Sequence, residues 1–250
     1  MNKEQLLQEV TESLNNQSYD TMTPKDQRAI TADWAELIPD MKRINNRTMG
    51  LYKRIGSMII GLSLGKNKSA TIYKPHLICT SICFVQPGIP ITFALDTIGE
   101  YEGKHVGSMI TLNTHEDRYK NAFNVLKSKS TFQLKQEVTV EEVVMAYREY
   151  ILKKKGFITS EIHDQALIPA WAGDTRLAQD SLEWAQKHKN KVLHSGPRMW
   201  LKLKDDDWLT DLEQRISNPE LLRKTVKDEV KKHKLEKIPF YNFIDSPYQE

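Results

Sequence analysis

The sequence predicts an α+β fold: an antiparallel sheet of about four strands, spanning roughly residues 52–112, flanked by an N-terminal helical pair and a helical C-terminal half. Three observations predict it. Helix signals fill the first forty residues. Runs rich in Ile, Thr, Tyr, Phe and Val, each closed by turn chemistry, fill the middle. Capped amphipathic patterns return at Thr114 and continue toward the end. Helices and strands segregated in this way imply α+β packing, not alternating βαβ units.

Residues 3–14 place Leu6, Leu7, Val10 and Leu14 on one helical face. "TPKDQRAITADWAEL" (Thr23–Leu37) opens with a Thr cap, puts Pro24 at the first helical position and Asp26 three residues after the Thr, and Pro39 closes it. "YKRIGSMIIGLSL", "SATIYKPHLICTSICFV", "PITFALDTI" and "HVGSMITL" read as four strands joined by "GKNKS", "QPGIP" and "GEYEGK". Helices are expected to cover one face of that sheet. Pro75 has no N–H to donate, so it belongs at an edge, a strand start or a bulge.

In "THEDRYKNAFNVLKSK", Thr114 is the cap, Asp117 holds the capping-box position, and Tyr119, Ala122, Phe123 and Leu126 share a face. "TVEEVVMAYREYILKKK" repeats the device with Thr139 and Glu142, and Val140, Val143, Val144, Tyr147 and Ile151 line its stripe. Three further helices are expected at about 174–188, 205–217 and 219–235, the last opened by Asn218 and Pro219. "KKKGFITS" (Lys153–Ser160) marks the seam between a sheet-containing part with the N-terminal helices (1–155) and a helical part packed on it (156–250). A single domain over 1–250 is the alternative.

The chain has 250 residues, 39% hydrophobic and 28% charged, with a net charge of +3. That is enough chain for a large core, and there is no basic arm or acidic tail. Two cysteines, Cys79 and Cys83, make no disulfide framework, and the N-terminus lacks an unbroken apolar stretch. The expected setting is the cytoplasm of a bacterium, away from membranes.

Each polar cluster has a chemical and a structural reading. His76, Cys79 and Cys83 could ligate a metal on a helix. On a strand, His76 points away from the cysteines, which lie about 13 Å apart. Buried thiols are therefore expected, and no metal or cofactor. His115, Glu116 and Asp117 suggest acid–base work, yet consecutive helical residues diverge by about 100°. No catalytic residue is expected; His115, Asp117 and His194 are the least unlikely candidates, and His194 beside Ser195 does not by itself make a nucleophile–base pair. There is no G-x-S-x-G, P-loop, G-x-G-x-x-G or H-E-x-x-H. Asp205, Asp206 and Asp207 read as a helix start. Lys224, Lys227, Lys231 and Lys234 form a basic stripe on the last helix, diluted by acids.

"IPAWAGDTRLAQDSLEWAQ" (Ile168–Gln186) could cradle an anion or start a helix. The acid at Asp174 competes for the free N–H groups of residues 176 and 177, so helix initiation is expected. Four of the five tryptophans (Trp171, Trp184, Trp200 and Trp208) fall in the C-terminal half, near several arginines. Trp and Arg recur in interface hot spots. Trp171, Asp174, Arg176, Arg198 and Trp200 are the expected partner-binding residues, with Trp171 and Trp200 in loops. The function expected is protein binding, most concretely an immunity-type neutraliser of a toxin or effector. The alternatives are an enzyme using His115, Asp117 or His194, and a weak nucleic-acid binder using the last helix.

Overall fold

The computed structural model describes residues 22–45, 49–66, 71–84, 93–96, 110–153, 159–189 and 207–250. The expected helix over 3–14, most of the expected fourth strand, and His194, Arg198 and Trp200 lie outside these residues.

Helix α1 (Pro24–Leu37) begins as expected: the Thr23 side chain accepts from the Asp26 N–H, and the Asp26 carboxylate accepts from the Thr23 N–H. Strands β1 (Gly50–Ile55) and β2 (Met58–Lys66) form a hairpin, Ile55 facing Met58 across Gly56 and Ser57. A single strand was expected here. The chain reverses because Gly56 adopts φ +52°, the positive value that a two-residue hairpin turn requires at its first position. β3 (Ile72–Ser81) pairs antiparallel with β2, and β4 (Phe93–Asp96) and β5 (Ile110–Thr111) pair with β3. Pro75 lies between the β3 residues that pair with β4 and those that pair with β5. Among the described residues that stretch is a local edge, which suits a residue without an N–H.

Five helices follow the first among the described residues: α2 (His115–Lys129), α3 (Val140–Lys153), α4 (Thr159–Ala172), α5 (Thr175–Lys187) and α6 (Asp207–Ile216). A sixth, α7 (Pro219–Lys232), precedes the short strand β6 (Phe240–Tyr241). The sheet order is β4-β3-β2-β1-β6, with β5 beside β3. β6 joins β1 in parallel and makes the sheet mixed, a pairing between residues about 190 positions apart that no local pattern announces.

Met58 to Leu62 of β2 are all buried, although successive side chains point to opposite faces. On β3 burial alternates instead: Tyr73 and Cys79 are buried and meet Trp34 of α1, His115 of α2 and Tyr147 of α3, while Lys74, His76 and Ile78 on the other face are half-buried, so the described helices that reach these residues pack on one face, as expected. The α3 stripe is buried as expected, and the Thr139–Glu142 capping box closes with both N–H···O contacts at 3.0 Å. At α2 the cap differs: the Thr114 side chain is engaged with Thr111 in the preceding short 3-10 turn, Leu112–Thr114, and makes no cap bond to α2.

α4 was not expected as a helix. It is buried from Glu161 to Ala172, so it carries no polar stripe and no helical period for sequence reading to detect. It also contains Pro169. Its contacts reach both parts of the chain. Asp164 accepts from the Ser81 N–H at 3.2 Å, and α5, α6 and α7 pack around it.

Candidate functional site

Three places gather polar and aromatic side chains. The first is built on His115, at the start of α2. Asp33 and Trp34 are adjacent on α1, and Tyr73 stands on β3. The Trp34 indole donates to the Tyr73 oxygen at 3.1 Å. Tyr73 Oη lies 2.7 Å from His115 Nδ1, and His115 Nε2 lies 2.8 Å from Asp33 Oδ2. Four residues of three elements thus form one hydrogen-bonded chain.

Its direction follows from the donor inventory. Indole N–H can only donate, so the Tyr73 oxygen accepts there. Tyr73 is fully buried, and its own proton has His115 Nδ1 as its acceptor. In the neutral imidazole the remaining proton then sits on Nε2 and is donated to Asp33. Burial, the main cause, also pushes the Tyr73 phenol far above its ordinary value, so it does not ionise near neutrality.

Asp33, His115 and Glu116 offer one ligand atom each, all within 4.8 Å of one another, and His with two carboxylates is a plausible donor set for a divalent metal by residue type. The chain opposes that use. Nε2 presents a proton to Asp33, not a lone pair. Moving the proton to Nδ1 would aim it at a Tyr73 oxygen already engaged by Trp34 and leave the Tyr73 proton without its acceptor. The same bonds occupy His115 as a general base. Asp117 is exposed and outside this cluster, so the acid beside His115 is Asp33, not Asp117. Asp33 and Tyr73 are 82 and 42 positions from His115, and neither carries a local signal.

The second place is the corner between α4 and α5. Gly173 turns with φ +85°, and Asp174 Oδ1 accepts from the Leu177 N–H at 2.9 Å, so this segment starts a helix as expected. Trp171 corrects an expectation. It is not in a loop: it lies in α4, 1% exposed, edge-on to Phe243 and Tyr248, with centroids 6.2 and 5.1 Å away. It anchors the core against the C-terminal segment, where Ser246 Oγ and the Tyr248 N–H both donate to the Ala172 carbonyl. Arg176 is exposed at the start of α5.

The third place joins α3 to α5. Arg148 Nη2 donates to Asp180 Oδ2 at 2.7 Å and to Ser181 Oγ at 3.0 Å, Arg148 Nε donates to Gln165 Oε1 at 3.2 Å, and the guanidinium lies 5.5 Å from the Trp184 ring. Met145 and Leu152, three residues before and four after Arg148, share its side of the helix. They are 56% and 52% exposed, two of the four large exposed hydrophobics among the described residues. Sequence reading missed this strip because Met145 and Leu152 fall off the buried stripe, where an isolated apolar residue is unremarkable.

Cys79 and Cys83 are buried free thiols, and burial pushes Cys83 up to about 12 and Cys79 higher, which makes both poor nucleophiles. The lysine stripe of α7 is exposed, with Lys224 paired to Asp228 at 2.7 Å. No described helix is long and apolar enough to cross a membrane. Comparison with protein-family models, with curated proteins and with solved structures finds no match for this chain.

Proposed function

We propose that this protein acts by binding another protein, through the α3–α5 face on which Met145 and Leu152 flank Arg148. The exposed pair carries the reading. Large apolar side chains at a seven-residue spacing stay in water on a helix whose opposite side is fully packed. Beside them Arg148, held by Asp180, Ser181 and Gln165, is ordered before any partner arrives, which lowers the entropy lost on binding. Met, Arg and Trp are the residue types enriched at interface centres. In its most concrete form the partner is a bacterial toxin or effector, neutralised by occlusion.

A tagged chain, returned to its native host, tests this. The wild type recovers a stoichiometric protein partner, the Met145→Glu/Leu152→Glu double variant loses it with an unchanged melting curve, and His115→Ala retains it. Recovery that is unaffected by the double variant removes this face from the reading.

A further inference from the structure

A groove of about 310 Å³ runs between the end of α1, the middle of α2 and the loop before α3. Leu37, Ile38, Pro39, Phe123 and Leu134 supply apolar walls, and Phe123 is backed edge-on by Trp34, 6.5 Å between centroids. Three polar residues complete the lining: Asp40, Lys127 and Gln136.

Asp40 belongs to a buried ion pair. Lys53 Nζ, fully buried on β1, lies 2.5 Å from Asp40 Oδ2 and 2.6 Å from the Lys135 carbonyl. The Asp40 side chain is 9% exposed, and among the described residues its Oδ1 accepts no hydrogen bond. That oxygen is not among the buried polar atoms that lack a partner, so it is accessible and retains acceptor capacity. Its charge is offset by Lys53, so this end of the groove favours a neutral donor over a second cation. Lys127, exposed at the rim, makes no ion pair among the described residues. The lining itself carries one acid and one base, and with Lys53 behind Asp40 counted in, the balance at the groove is one positive charge, located at Lys127.

We propose that this groove binds a small organic anion with an apolar body about one ring in size. The body packs between Leu37, Phe123 and Leu134, the anionic group meets Lys127, and a hydroxyl or N–H group donates to Asp40. The volume lies at the lower end of small-molecule sites, apolar walls with a few convergent polar groups being their usual make-up. This site uses other elements than the α3–α5 face and does not depend on the protein-binding reading.

The test uses the full chain and three probes: p-hydroxyphenylacetate, phenylacetate (no donor) and p-cresol (no anion). Backbone amide shifts on titration should localise to Leu37, Ile38, Asp40, residues 123–127 and 134–136, with a Kd for p-hydroxyphenylacetate on the order of 1 mM. The other two probes should bind about fivefold more weakly or worse, the loss expected for one polar contact. Lys127→Ala, at an exposed position, should bring p-hydroxyphenylacetate down to the affinity of p-cresol and leave p-cresol unchanged. Leu134→Trp should abolish all three. The proposal is overturned by equal affinity for the three probes, by shifts elsewhere or no saturation, or by Lys127→Ala without effect. If Leu134→Trp does not fold, the Lys127 result decides.

Discussion

Tyr73 Oη lies 2.7 Å from Nδ1 of His115 while the Trp34 N–H donates to the same oxygen, and the two contacts together favour the tautomer in which Nδ1 accepts the Tyr73 proton. Because Trp34 donates into the same oxygen, Tyr73 has a single direction in which to give its proton. His115 then gives its own to Asp33. The chain ties α1, β3 and α2 together through hydrogen bonds.

Tyr73→Phe leaves the buried Trp34 N–H and His115 Nδ1 without a partner. The expected loss is about 2–4 kcal/mol, since each orphaned buried group costs about 1–3 kcal/mol. Urea unfolding measures it. Imidazole nitrogen shifts in the wild type should show a bare Nδ1 and a protonated Nε2. A protonated Nδ1 in the neutral ring would refute the assigned direction and reopen His115 as a metal ligand.

Two glycines separate backbone strain from overpacking. A Cβ at Gly56, where φ is +52°, would stand 2.7 Å from Phe243 Cδ2 and 2.8 Å from Trp171 Cζ3, both rigid ring atoms. Gly56→Ala should cost about 3 kcal/mol or more, strain and overpacking together. At Gly173, φ is +85° but the nearest atom is the flexible end of Arg223, at 3.2 Å. Gly173→Ala should cost only the strain, about 1–2 kcal/mol. Denaturant midpoints of the two variants rank them, and equal losses would contradict the packing at Trp171.

The buried thiols set an alkaline limit. Cys83 is an acid whose folded value, about 12, lies above its ordinary 9.0 because burial disfavours the thiolate. Below pH 9 both folded and unfolded forms keep the proton and its contribution is complete. Between pH 9 and 12 only the unfolded chain ionises, and stability falls by about 1.4 kcal/mol per pH unit for this group. Cys79 and Tyr73, also pushed up by burial, act in the same direction. Cys83→Ala should reduce the slope of stability against pH over that window by about one proton, read from denaturant titrations at a series of pH values. An unchanged slope would show that the thiol titrates normally in the fold.

Local devices were legible. Thr23 with Asp26, Thr139 with Glu142, and Asp174 and Asn218 with the N–H groups three residues on are all partners within one turn, so spacing alone reveals them. The stripes of α3 and α7 were legible for the same reason: one side of each is wet and the other packed. α4 was not, because a helix enclosed on every side has no contrast to display. Trp171 was misplaced with it. A tryptophan before a glycine turn reads as an exposed loop residue until the segment that covers it is known, and that cover, Phe243 and Tyr248, lies more than seventy residues away in the chain.

By itself the amino-acid order determined the α+β class, most helix starts, and the burial of both thiols, since these depend on neighbours within a few positions. Tertiary structure alone decided that Asp33 meets His115, that β6 closes the sheet beside β1, that Lys53 finds Asp40, and that Met145 and Leu152 remain in water beside Arg148. The first two join residues 82 and 186 positions apart, Lys53 and Asp40 are 13 apart, and the exposure of Met145 and Leu152 depends on which side of their helix the distant elements cover. Their energies come from desolvation and from partners brought together by the packing of whole elements, and no short stretch of sequence encodes which distant group will arrive.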